Sequence, residues 1–199
     1  MKKTLFYFIL LISFSGIAQD VTLQTAMEFQ DELNLQYADS TKSPLTEADL
    51  KVFKGLDFFP INDKYVVKAK FVRTKKEKVF KMKTSTARLP EYKKYGELHF
   101  TIDSVAYKLN VYQSMDLKKK KEYKKHLFLP FSDLTNGKES YIGGRYIDME
   151  IQEAEVWEID FNRAYNPYCA YNHKYSCPIV PLENDLEVAI LAGVKKFHD

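Results

Sequence analysis

Between Leu98 and Val111 apolar residues fall on every second position, on both sides of a two-residue break, and no other stretch constrains the fold as tightly. Leu98, Phe100 and Ile102 lead into Asp103-Ser104, and Val105, Tyr107, Leu109 and Val111 follow. A period of two places such residues on one face of a strand. Two polar residues between the runs leave room only for a tight antiparallel hairpin, although Asp-Ser is a weaker turn than Asn-Gly. The same period recurs at Tyr65, Val67, Ala69 and Phe71, between lysines at Phe80 and Met82, and over 126–131, 145–151 and 155–161. Successive strands lie too close in sequence for intervening crossover helices, so the sheet is expected to be mainly antiparallel. Whether it closes into a barrel is left open by the spacing.

Helical periodicity is confined to the ends. Over residues 21–38, Leu23, Met27, Gln30, Leu33 and Tyr37 share one face at three-to-four spacing. After the break at Ser43-Pro44, Thr46 reads as the cap of a second, short helix with acidic residues in its first turn and Gly55 as its stop. At the other end, Leu186, Ala189, Ile190 and Gly193 suggest a short helix within Asn184–Lys196, capped by Asn184 or Asp185. The fold class expected is therefore α+β: a mainly antiparallel sheet with the N-terminal helices packed on it.

Residues 1–18 read as an export signal. Lys2 and Lys3 precede the apolar run Leu5–Ile12, and Gly16-Ile17-Ala18 sets small residues at the −3 and −1 positions of a cut before Gln19. The run is shorter than the roughly 20 residues that span a bilayer, no cysteine follows it to carry a lipid, and no later segment is apolar enough to span. The expectation is an exported chain, periplasmic or secreted, with no transmembrane segment once the leader is gone. Removing eighteen of 199 residues leaves 181, a single domain over residues 19–199 with room for a proper core. Loss of Lys2 and Lys3 also brings the formal charge from +3 to +1. A nearly neutral chain gives nucleic acid no electrostatic footprint. The basic run Lys118–Lys121, with Lys124 and Lys125, then reads as a solvated hairpin tip, with adsorption to an anionic surface as the sharper alternative.

Two segments depart from strand-and-turn text: PFSDLTNGKESYIGGRY over 130–146 and IDFNRAYNPYCAYNHKYSCPIVPLEN over 159–184. They gather Asn, Gly, Pro and Tyr, both cysteines, and two of only four arginines into connections beside strands, where binding groups usually sit. The stretches LPFSDLTNGKESYIGGRY and DFNRAYNPYCAYN, the following CP and the late EN-L-VAI-AG pattern resemble the domain-of-unknown-function family 1684. SPLTEADLKVFKGLDFFP is a weaker, N-terminal part of the likeness. The resemblance covers most of the mature chain and brings no activity or cofactor with it.

Within these segments Arg145 and Arg163 are the residues suited to a two-pronged grip on a carboxylate or phosphate. The plainer role for them is an internal pair with Asp133, Asp148 or Asp160. Tyr146, Asn162, Tyr165 and Asn166 complete the candidate ligand-binding set, and the ligand expected is small and anionic or carbohydrate-like. A hydrolase built on acidic residues of 132–146 and 159–166, such as Asp133 or Asp160, and a purely structural or interaction role are the alternatives. Cys169 and Cys177 are the only cysteine pair of a chain that looks exported, so a disulfide is the leading reading. Cys169-x3-His173-x3-Cys177 as metal ligands lacks a fourth donor, and a nucleophilic cysteine needs a base that spacing does not show. No metal and no cofactor are expected.

Overall fold

The computed structural model describes residues 17–198. The leader expected over 1–18 thus lies, up to residue 16, outside the described residues. Two helices come first, α1 (Ile17–Ala38) and α2 (Glu47–Val52). Eight strands follow: β1 (Val66–Arg73), β2 (Val79–Lys81), β3 (Glu91–Ile102), β4 (Val105–Ser114), β5 (His126–Asp133), β6 (Arg145–Glu150), β7 (Val156–Asp160) and β8 (Asp185–Leu186). They form one curled sheet in the order β6-β5-β4-β3-β1-β7, with β2 added to β3 and β8 to β5. Every pairing is antiparallel except β5–β8. The α+β class and the dominance of the antiparallel sheet agree with the sequence, and the curl makes a half-barrel with β6 and β7 as its edges.

The β3–β4 hairpin turns where expected. Ile102 pairs with Val105, and Asp103 and Ser104 take positive φ of 50° and 65°. Both central residues are then left-handed, which matches the twist of the flanking strands.

Alternation gives the sheet two unlike faces. One face buries Leu98, Leu109, Leu127, Leu129 and Phe131 with Trp157 and Ile159, and Phe71 lies flat on Trp157 at 3.9 Å between ring centres. The opposite face carries a smaller cluster of Met82, Tyr92, Tyr112, Phe128 and Tyr146. A third cluster joins Leu33 and Tyr37 of α1 to Leu45, Leu56, Tyr171 and Val194. α1 is pinned there by polar contacts as well: Gln30 Nε2 donates to Asn162 O at 3.0 Å, Gln36 Nε2 to Tyr168 Oη at 2.9 Å, and Asn34 Oδ1 accepts from Leu56 N–H at 2.8 Å. The buried stripe of α1 is rotated slightly from the expected one, with Ala26 enclosed and Met27 exposed.

Thr46 caps α2 as expected, accepting from Asp49 N–H. The helix ends at Val52, three residues before Gly55, which takes a positive φ in the loop beyond. No helix among the described residues is long and apolar enough to cross a membrane.

The C-terminal helix expected within Asn184–Lys196 is not formed. A short 3-10 turn ends at Asn184, β8 pairs with β5, and irregular chain follows. The reason is tertiary competition for the backbone: Arg145 takes the carbonyls of Ile190 and Ala192, and Ile190 N–H donates to Asp133 Oδ1. Groups committed in this way cannot close helical turns. The apolar residues of the segment are buried all the same, Leu186, Ile190 and Ala192 in the main core and Val194 in the cluster beneath α1.

Candidate functional site

The six residues picked out by the sequence fall in three places: the interior, a cleft at one seam of the sheet, and a separate groove. Arg145, Asn162 and Asn166 are wholly interior. Arg145 donates to Asp133 Oδ2 at 2.7 Å and to the Ile190 carbonyl at 2.8 Å, and it also holds the Ala192 carbonyl. Asp133 in turn accepts through Oδ1 from the Thr135 hydroxyl and N–H. The plainer role, an internal arginine–aspartate pair, is what the structure contains. Asn162 braces residues 62 and 160 through its amide, and Asn166 Nδ2 donates to Lys195 O at 2.8 Å. Asp160 Oδ1 accepts from the backbone and side chain of Asn162, and burial raises its carboxyl pKa. Both carboxylate oxygens of Asp133 are taken up in this way, and Asp160 commits its Oδ1. Arg163 lies over the Phe29 ring and lines a cleft at the open seam between β6 and β7, among Asp148, Glu150, Glu158 and Asp160.

Tyr146 and Tyr165 belong elsewhere, on the wall of a groove of about 520 Å³ between α1, the sheet's second face and the 165–178 loop. The backbone itself brings them together, through reciprocal hydrogen bonds of 2.9 and 3.0 Å between Tyr146 and Tyr165. Their rings stand at 90° with centres 6.0 Å apart. Strand parity explains the rest of the wall. Leu127, Leu129, Ile147 and Met149 go to the main core, so the alternate residues His126, Phe128, Tyr146 and Asp148 face the groove. Eight of the lining side chains are aromatic, which makes stacking surface the dominant feature of the site.

One carboxylate is held in this aromatic setting. His126 Nε2 lies 2.8 Å from Asp148 Oδ1, and the Tyr165 hydroxyl donates to Asp148 Oδ2 at 2.8 Å. In this contact His126 Nε2–H is the donor to the carboxylate. Its Nδ1 is buried and has no hydrogen-bond partner among the described residues. About half of the Asp148 side chain is exposed, so its remaining lone pairs face the open groove. Burial, then the nearby Asp148 charge, holds the Tyr165 phenol well above its ordinary pKa. Burial does the same for Tyr146, whose hydroxyl donates to the Pro178 carbonyl. Both hydroxyls act as donors, Tyr165 to Asp148 and Tyr146 to Pro178. Lys120, from the exposed basic loop between β4 and β5, reaches the rim.

His126 and Asp148 were not among the residues chosen from sequence. Their signal was the alternation of polar or aromatic with aliphatic residues in β5 and β6, but their meeting depends on register. Phe128 is opposite Asp148 and His126 opposite Glu150, so the two are diagonal neighbours on one face.

Cys169 and Cys177 are buried, unbonded thiols. Cys169 N–H points at Cys177 Sγ at 3.1 Å, and the Tyr141 hydroxyl is 3.9 Å from Cys169 Sγ. His173 between them is exposed. Among the described residues no three His, Cys, Asp or Glu side chains are grouped to hold a metal ion. Cys177 is part of the groove wall.

The profile of the family described as "Protein of unknown function (DUF1684)" matches residues 51–195. The solution NMR structure of an uncharacterised protein from gene locus rrnAC0354 of Haloarcula marismortui is similar, with a TM-score of 0.69 and 30% identity over 89% of this chain and 95% of that one. No curated protein matches the chain.

Proposed function

The chain belongs to the DUF1684 family, and on that premise we propose that it is an exported binding module whose aromatic groove takes a neutral, carbohydrate-like ligand. The observation that carries this reading is the pairing of many aromatic faces with one fixed, half-exposed carboxylate, Asp148. Aromatic faces stack on the C–H faces of a pyranose, and a carboxylate oriented by His126 and Tyr165 accepts from sugar hydroxyls; pockets of this kind are mostly apolar with few, well-placed polar groups. An anionic ligand is disfavoured at the same place. Arg145 is spent on Asp133, Arg163 is in the seam rather than the groove, and Asp148 repels a second negative charge.

Titration of ¹⁵N-labelled protein with neutral mono- and disaccharides, and separately with sugar phosphates, tests the assignment. Neutral sugars are expected to shift the amides of Tyr146, Tyr165 and Tyr168. Asp148→Asn is expected to weaken them about tenfold, in line with loss of a charged hydrogen bond worth roughly 1.5 kcal/mol. Binding of sugar phosphates alone, or undiminished sugar binding by Asp148→Asn, ends this reading. Export is checked by the mass of the protein secreted by its host cell, which should begin at Gln19.

A further inference from the structure

We propose that Cys169 and Cys177 are a disulfide-forming site that staples one wall of the groove, so that the order of that wall follows the redox state of the pair. The geometry comes from two differently anchored pieces of chain. Cys177 is fixed to the segment beside β2: Ser85 N–H donates to the Cys177 carbonyl at 2.9 Å, and Cys177 N–H donates to Ser85 Oγ at 3.1 Å. Its neighbour Ser176 is held by Thr86 Oγ1 at 2.6 Å and by Arg88 Nη2, which donates to the Ser176 carbonyl at 2.7 Å. Cys169 instead sits on a single 3-10 turn, Tyr168–Ala170. That turn presents Pro167 and Tyr168 to the groove, and the excursion from 170 to 176 carries the exposed His173 and Lys174. A bond between the two sulfurs ties this turn, which packs against α1 through Tyr168 and Tyr171, to the segment anchored beside β2.

The two residues are in contact, with Cys169 N–H pointing at Cys177 Sγ at 3.1 Å. A hydrogen bond between their side chains, with Tyr141 adding a second, lowers the pKa of Cys169, while the same bond and burial raise that of Cys177. The Tyr141 hydroxyl, 3.9 Å from Cys169 Sγ, is placed to stabilise a thiolate there, which makes Cys169 the attacking thiol and Cys177 the resolving one. In the first step Cys169 loses its proton and attacks one sulfur of an external disulfide R–S–S–R, forming Cys169–S–S–R and releasing RS⁻. In the second, Cys177 loses its proton and attacks Cys169 Sγ, expelling the other RS⁻. The two thiolates take up the two protons as 2 RSH, so two electrons and two protons have passed from the pair to R–S–S–R. Both cysteines are under a tenth exposed, which favours a small disulfide as the oxidant of the folded chain.

The test equilibrates the folded protein in buffers of oxidised and reduced glutathione. Trypsin cuts after Arg163 and Lys174, so an intramolecular bond joins peptides 164–174 and 175–195. That joined pair is expected, with a loss of two hydrogens from the intact mass. Amide exchange over 168–178 is expected to slow at least tenfold on oxidation, and Cys169→Ser is expected to show no such change. Free thiols at every glutathione ratio, a lasting glutathione adduct on either cysteine, or exchange rates indifferent to oxidation would each overturn the proposal. The measurement needs no saccharide, so it stands or falls apart from the ligand assigned to the groove.

Discussion

Replacing Arg145 by alanine separates a structural arginine from a ligand-binding one, and its cost can be worked from the contacts. The side chain is fully enclosed, paired with a fully enclosed Asp133, and stacked near the rings of Phe131 and Phe59. Removing it strands the Asp133 charge and leaves the carbonyls of Ile190 and Ala192 without their donor. Breaking a buried pair from one side costs about 3–5 kcal/mol. Against a typical total of about 5–15 kcal/mol, Arg145→Ala is expected to be folded but marginal. For a chain of this size that loss lowers Tm by roughly 10 °C or more.

Urea unfolding is the assay, followed by fluorescence of Trp157, the single tryptophan, which is fully buried against Phe71. Arg145→Lys should fall between, losing about 2 kcal/mol, because one ammonium cannot serve a carboxylate and two carbonyls in the plane that a guanidinium does. Asp133→Asn combined with Arg145→Met should recover part of the alanine loss, about 1–2 kcal/mol, by removing the uncompensated charge while keeping Oδ1 as acceptor for Thr135 and Ile190. The reasoning is refuted if Arg145→Ala loses under about 1 kcal/mol, too little for a buried charge left unpaired, while ligand binding disappears.

Two further outcomes rest on local geometry. Gly193 has φ +74°, and a Cβ there would lie 2.6 Å from the Ala164 carbonyl oxygen and 2.8 Å from that of Phe161; Gly193→Ala should therefore destabilise by about 2–3 kcal/mol in the same urea assay, the cost of left-handed strain plus a backbone clash. Glu97 accepts from Lys94 at 2.6 Å, with His99 and Lys108 nearby, and its pKa is lowered to about 2. Because the folded value lies below the unfolded one, its contribution is complete above the ordinary carboxylate pKa of 4.5 and is lost as pH falls toward 2. Glu97→Gln should accordingly cost about 1 kcal/mol at pH 7, after allowing for solvent screening of a partly exposed pair, and little near pH 2.

What could be read in the chain before its structure, and what could not, divides by the range of the interactions involved. The β3–β4 hairpin was legible because its register is set by a two-residue turn, and a slip by one position would expose Leu98, Phe100 and Ile102 together. The Thr46 cap was legible for the same reason, since its partner is three residues away. The C-terminal segment was misread because spacing of Leu186, Ala189, Ile190 and Gly193 fits a helix in isolation, whereas its backbone partners, Asp133 and Arg145, are some fifty residues off. The site divides likewise. Its loop tyrosines were visible as a local excess of Tyr165, Tyr168 and Tyr175. The carboxylate they surround comes from β6, its histidine from β5, and only the pairing of Phe128 with Asp148 brings the two to one face. Arg145 shows the converse: the residue type best suited to grip an anion was found in an unusual segment, and its grip is spent on the fold. The segments were unusual because they fold back on the sheet through side-chain-to-backbone bonds. That need accounts for their Asn and Arg content without a ligand, and once Phe131, Phe161, Tyr146 and Tyr171 are assigned to the packed clusters, it leaves the half-buried Tyr165, Tyr168 and Tyr175 on the groove as the part of their composition most open to a ligand.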